Sequence, residues 1–198
     1  MEWYEEEVQR VEKVLSDLSY QPETVFYGSS SITLWDTLYT DFEDLKPVNL
    51  GFGGSTLAAC VWFFDRIMAP LDFAKTFIIY AGDNDLGDGR HPEEACISYR
   101  QLIVQIRKKF GNVPCYYISI KPSLQRWDIV EKIRETNRLI KREVDQDEFQ
   151  HYIDIFPLML DKEGRPEISL FEADGLHLSP LGYDVWQEKI RQELSVLK

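Results

Sequence analysis

Five short apolar runs, each followed by turn-forming residues, set the rhythm of this chain. Thr24-Val25-Phe26-Tyr27, Val48-Asn49-Leu50, Thr76-Phe77-Ile78-Ile79-Tyr80, Cys115-Tyr116-Tyr117-Ile118-Ser119-Ile120 and Tyr152-Ile153-Asp154-Ile155 are nearly continuous in apolar side chains rather than alternating. Continuous runs mark strands covered on both faces, as in parallel sheets. Between them lie segments of helical length at 2–19, 56–69, 92–110, 127–147 and 180–196. Pro92 with Glu93-Glu94 suits a first helical turn, Gly111 suits a helix end, and Pro180 opens the last segment in the same way. Strand–helix alternation implies right-handed crossovers and a three-layer α/β/α sandwich on a five-stranded parallel sheet. No repeat, low-complexity tract or linker divides the chain, so 1–198 is expected to form one domain. The stretch 156–176 fits no element.

In open parallel sheets, ligands bind outside the carboxyl ends of the strands. The polar clusters of this chain fall there. Gly28-Ser29-Ser30-Ser31 follows the first strand, Gly51-Phe52-Gly53-Gly54-Ser55 the second, and Gly82-Asp83-Asn84-Asp85 the third. Asp174-Gly175-Leu176-His177 follows the fifth at a distance and puts a carboxylate three residues before one of only three histidines. An imidazole acting as general base needs a partner on its far nitrogen, which fixes the tautomer and stabilises the imidazolium. Ser30, two residues past Gly28 in a turn leaving a strand, can present a hydroxyl to open space. Gly53-Gly54 can expose backbone N–H groups, and Asn84 offers a neutral amide donor for an oxyanion. Each cluster also has a plainer reading: serines cap helices, Asn closes Asx turns, glycines serve turns, and Asp-Gly is itself a turn.

Composition narrows the field. Lys and Arg number 22 against 34 Asp and Glu, a formal charge of 22 − 34 = −12. That balance argues against binding a nucleic-acid backbone, which needs clustered cations. At 44% hydrophobic and 13% aromatic residues the chain can build a core. The acidic start lacks the layout of a signal peptide, and no apolar run approaches the roughly 20 residues of a membrane span. Cys60, Cys96 and Cys115 are odd in number and lack a CxxC pair, which suits buried free thiols in a reducing, cytoplasmic setting.

Taken in order, these clusters resemble the blocks of the SGNH (GDSL-type) hydrolases. Gly28-Ser29-Ser30 with Ile32, Thr33 and Trp35 resembles the first block, and Asn49 to Thr56 the second. Gly82 to Asp85 resembles the third, and Asp174 to His177 the last. The resemblance implies a flavodoxin-like fold and a serine hydrolase of small acyl esters. It also implies that Ser30 is the nucleophile, His177 the base and Asp174 its orienting partner, with the Ser30 N–H, the Gly54 N–H and the Asn84 side chain as oxyanion donors. No metal or organic cofactor is implied. One departure stands out: Ser29 occupies the position where the family usually has aspartate. The alternative is a flavodoxin-like domain that binds a ligand in the same crevice without turnover.

Other residues receive secondary expectations. Asp83, Asp85, Asp88 and Glu94 approach a calcium-loop spacing, but Gly87 and Asp88 occupy the wrong positions for an EF-hand. His91 belongs to a turn, and His151 to the opposite edge of the sheet. Trp35 and Trp127 are expected to wall the acyl site, whereas Trp62, Phe63 and Phe64 are expected in the core. Lys121-Pro122-Ser123 lies near the pocket, and Arg126 is either a surface residue or a contact for an anionic substrate group. Exposed aromatics could support a homo-oligomer.

Overall fold

The computed structural model describes residues 1–196. Its five strands are β1 (Thr24–Gly28), β2 (Pro47–Gly51), β3 (Thr76–Tyr80), β4 (Cys115–Ile118) and β5 (Gln150–Ile153). All neighbours pair in parallel, in the order β2-β1-β3-β4-β5. This is the doubly wound flavodoxin-like order, whose switch point falls between β1 and β3. The sequence expectation of a five-stranded parallel sheet therefore holds. β4 ends two residues earlier than the apolar run, and β5 starts and ends two residues earlier than expected.

The helices are α1 (Glu5–Asp17), α2 (Ser30–Thr33), α3 (Leu38–Asp41), α4 (Leu57–Met68), α5 (Asp83–Gly87), α6 (Pro92–Phe110), α7 (Val130–Val144) and α8 (Pro180–Val196). Residues 2–4 and 127–129, expected as helix, form single 3₁₀ turns leading into α1 and α7. Among the described residues, no helix is long and apolar enough to cross a membrane.

Alternate residues of β1, β3 and β4 feed two cores, as the period of two requires. Val25, Tyr27, Phe77, Ile79 and Tyr117 pack with Val8, Phe64, Leu102 and Ile140 from α1, α4, α6 and α7. Phe26, Ile78, Tyr80 and Ile118 pack with Ile32, Leu38 and Trp186 from α2, α3 and α8. Fully burying such a side chain contributes about 1.5–3 kcal/mol, so both faces of the sheet stabilise the fold. The segment after β5 closes the second core with Met159, Leu170, Phe171 and Leu178. It has almost no regular structure beyond two 3₁₀ turns and two isolated bridges, Leu160 with Pro166 and Phe171 with Leu178. Its anchors are spaced irregularly because each fills a gap under a loop, which explains why no period is visible there.

Two tryptophan expectations are corrected. Trp35 does not wall a crevice; it is 1% exposed, with rings of Phe26, Phe42, Tyr183 and Trp186 around it. Its indole N–H donates to Asp41 at 2.7 Å, which satisfies its one polar atom. Trp62 is not core but 68% exposed. On α4 the inward stripe is Ala59, Cys60, Phe63, Phe64 and Ile67, and Trp62 shares the outer face with Arg66, one turn on.

Candidate active site

Ser30 begins α2 directly after β1, at the carboxyl edge of the sheet and beside the switch point. The chain can turn there because Gly28 lacks a side chain: a Cβ on it would lie 1.8 Å from the Tyr80 carbonyl oxygen, and its φ is +147°. β1 and β3 thus approach closely at their ends. The Ser29 N–H then donates to that same carbonyl at 2.9 Å. Ser29 caps α2 through its backbone; its side chain makes no cap hydrogen bond.

Ser30, His177 and Asp174 form one hydrogen-bonded series. His177 Nε2 lies 3.2 Å from Ser30 Oγ, and His177 Nδ1 lies 2.6 Å from Asp174 Oδ2. Asp174 Oδ1 accepts the N–H groups of Leu176 and His177 at 2.8 and 3.0 Å. Burial alone would raise the Asp174 carboxyl, but those amides and the imidazole outweigh it and hold its pKa at about 2. An Asp174 ionised at neutral pH favours Nδ1–H on His177, which leaves Nε2 free to accept the serine proton. Gly175, with φ +66°, lets the short turn fold both side chains to one side. The turn is anchored by the Gln125 N–H, which donates to the Gly175 carbonyl at 3.0 Å.

The expected oxyanion residues gather through Ser55, which sequence reasoning left unassigned. The Ser55 hydroxyl donates to the Gly28 carbonyl at 2.9 Å, and its own carbonyl accepts Asn84 Nδ2 at 3.0 Å. One residue therefore ties the Gly53-Gly54 turn to the end of β1 and to the start of α5. Gly54 is exposed with φ +69°, and a Cβ there would meet nothing within 4 Å. One hydrogen of the Asn84 amide is used by Ser55 and the second remains for a ligand. Asp85 supports this corner from below. Its Oδ2 accepts the Leu57 N–H at 2.8 Å, the first residue of α4, and burial pushes its carboxyl up to about 6 despite that bond.

The remaining candidates take other places. The His91 N–H is capped by the Glu94 carboxylate at 2.8 Å at the start of α6. His151 lies at the amino end of β4–β5 pairing with its ring on Tyr116, 4.6 Å between centroids, away from Ser30 as expected. Asp83 faces Lys121, and among the described residues no group of three or more His, Cys, Asp or Glu is arranged to hold a metal ion. Arg126 lies against Gly87, where a Cβ would come within 2.3 Å of its guanidinium carbon, and its Nε is 3.8 Å from Asp83 Oδ1. Trp127 is half-buried beneath the Arg165 guanidinium, 5.0 Å from the ring centre. The three cysteines are free and buried, and burial pushes the Cys115 thiol up to about 12.

A serine at a strand end, a histidine on its hydroxyl and a carboxylate behind it define a candidate hydrolase site. The family model for the GDSL-like lipase/acylhydrolase family matches residues 26–185, and the chain belongs to that family of hydrolases. Similar solved structures include a candidate acylhydrolase of Bacteroides fragilis, with 19% identity, 96% of each chain covered and a TM-score of 0.81. A GDSL-like lipase of Bacteroides thetaiotaomicron gives 17% identity, 96% of this chain and 98% of that one covered, and a TM-score of 0.81. An acetyl esterase mutant with an acetate ion gives 15%, 89% and 97%, and 0.66. At these identities the likeness establishes the fold. No curated protein sequence matches the chain.

Proposed function

We propose that the protein is a serine acylhydrolase cleaving esters of small acyl groups, with 1–198 forming one hydrolase domain. The reading is carried by the 3.2 Å approach of His177 Nε2 to Ser30 Oγ, with Asp174 at 2.6 Å on the far nitrogen. In this mechanism His177 takes the Ser30 proton as Oγ attacks the ester carbonyl. The tetrahedral oxyanion is received by the N–H groups of Ser30 and Gly54 and by the free Asn84 amide hydrogen. His177 then gives its proton to the departing alcohol, leaving Ser30 acylated. Water, deprotonated by His177, releases the carboxylic acid and restores Ser30.

Ser30 is preferred over its neighbours on environment. Ser31 is buried, with its Oγ accepting from Lys121, and Ser29 is 2% exposed. Ser30 alone of the three meets an imidazole. Turnover of p-nitrophenyl acetate by the whole chain and by Ser30→Ala tests the reading. Loss of turnover with an unchanged unfolding temperature is expected. A folded wild-type protein that turns over no ester would instead favour a non-catalytic ligand-binding domain using the same crevice.

A further inference from the structure

Behind the Ser30 turn lies a buried ion cluster that the acyl-transfer steps do not call on. Lys121, on the segment after β4, is 1% exposed, among the largest fully buried side chains of the protein. Its ammonium donates to Tyr80 Oη at 3.1 Å, Asp83 Oδ2 at 3.3 Å and Ser31 Oγ at 3.4 Å. Three donors meet three acceptors, which is what a buried ammonium requires. Burial alone would push this ammonium down, but the Tyr80 and Asp83 oxygens more than reverse it, so the lysine stays charged. The second cation, Arg126, stands 3.8 Å from Asp83 Oδ1, and neither of those two atoms has a hydrogen-bond partner. Isolated burial of such charges is costly, and a hydrophobic replacement is often neutral or stabilising, so stability alone is a poor reason for the cluster.

What the cluster touches suggests a different reason. Ser31 is the residue after Ser30, and its carbonyl also accepts the Tyr183 hydroxyl at 3.1 Å. Tyr80 reaches the residue before, because its carbonyl accepts the Ser29 N–H. Asp83 is the residue before Asn84. We propose that Lys121 is a positioning residue for ester hydrolysis, joining the Ser30 turn through Ser31 to the Asn84 helix start through Asp83. The inference rests on the hydrolase reading above. Lys121 fixes the distance between nucleophile and oxyanion donor without touching substrate. Misplacement of reacting groups by about 1 Å can cost about 100-fold in rate.

The test compares Lys121→Met, Ser31→Ala, their double variant and the neutral pair Lys121→Met/Asp83→Asn with wild type. Hydrolysis of p-nitrophenyl acetate is measured per serine titrated with a fluorophosphonate, so that misfolded molecules do not count. Lys121→Met is expected to lower kcat by about 30–100-fold with KM changed less than about threefold. Ser31→Ala removes the acceptor with no change of charge and should lower kcat by about tenfold. The double Lys121→Met/Ser31→Ala should be no slower than Lys121→Met alone, because both break one link. If Lys121→Met does not fold, the neutral pair should fold and carry the same kcat loss. Full kcat per titrated serine in Lys121→Met, the neutral pair or Ser31→Ala would overturn the proposal, as would losses that multiply. If wild type itself neither turns over ester nor labels at Ser30, the hydrolase reading fails and the positioning role falls with it.

Discussion

Asp174 and His177 meet at 2.6 Å with 45% and 29% of their side chains open to solvent, whereas Asp83 and Lys121 meet at 3.3 Å with 6% and 1% open. Both pairs stand at the carboxyl edge of one sheet, one above the Ser30 turn and one behind it. The open pair is held by two backbone amides from its own turn. From outside it the turn takes the Gln125 N–H on the Gly175 carbonyl, and water can reach the pair. The buried pair is held by side chains from β3, α5 and the Ser30 turn, and it cannot change partners without moving them. An exposed pair suits proton exchange, which needs access and a group that returns to its starting state. A buried pair suits fixing distances, since a desolvated charge tolerates few geometries.

Neutralising the open pair should separate activity from stability most sharply. Asp174→Asn removes the group that fixes the His177 tautomer, and kcat should fall by about 10²–10⁴. Because Asp174 is exposed, its unfolding temperature should stay within a degree or two of wild type, read by thermal melts beside the kinetics. The buried pair should behave in reverse when only one partner is lost. Asp83→Asn leaves the Lys121 ammonium without its carboxylate and should cost about 3–5 kcal/mol in urea unfolding. A loss below about 1 kcal/mol would mean that the pair is not the desolvated link described here.

Asp85 offers a smaller and pH-dependent contrast. Its carboxyl is raised from 3.8 to about 6 by burial. A raised acid pKa means that the folded state holds the proton more tightly than the unfolded state. Its contribution is therefore fully present below about pH 4 and is lost as pH rises through about 6. Asp85→Asn should remove this downward slope of stability between pH 4 and 6, on the order of 2 kcal/mol, in denaturant titrations at several pH values. Asp174, held at about 2, works the opposite way: its contribution is present above pH 4 and fades only as pH falls toward 2.

The open pair was legible in the sequence and the buried pair was not, for a physical reason. Asp174-Gly175-Leu176-His177 is local, so its geometry is written in four consecutive residues. Lys121 and Asp83 are 38 positions apart and meet only because β3 and β4 are neighbours. A lysine directly after the apolar run Ile118-Ser119-Ile120 was the available signal. Ser55 was hidden differently, since its work is done by a hydroxyl and a carbonyl facing two other strand ends. The strands themselves were readable because burial on both faces leaves continuous apolar runs. Trp62 could have been read correctly from the helical period of α4, which turns it outward with Arg66, whereas Trp35 turns inward from the irregular segment between α2 and α3, where no period exists.

The central claim is that His177 activates Ser30 and not either neighbouring serine. Its most direct measurement is peptide mass mapping after exposure of the whole protein to a fluorophosphonate. One adduct is expected, on Ser30, and it should disappear in His177→Ala while that variant keeps its fold. An adduct on Ser29 or Ser31, or labelling that persists without His177, would contradict it.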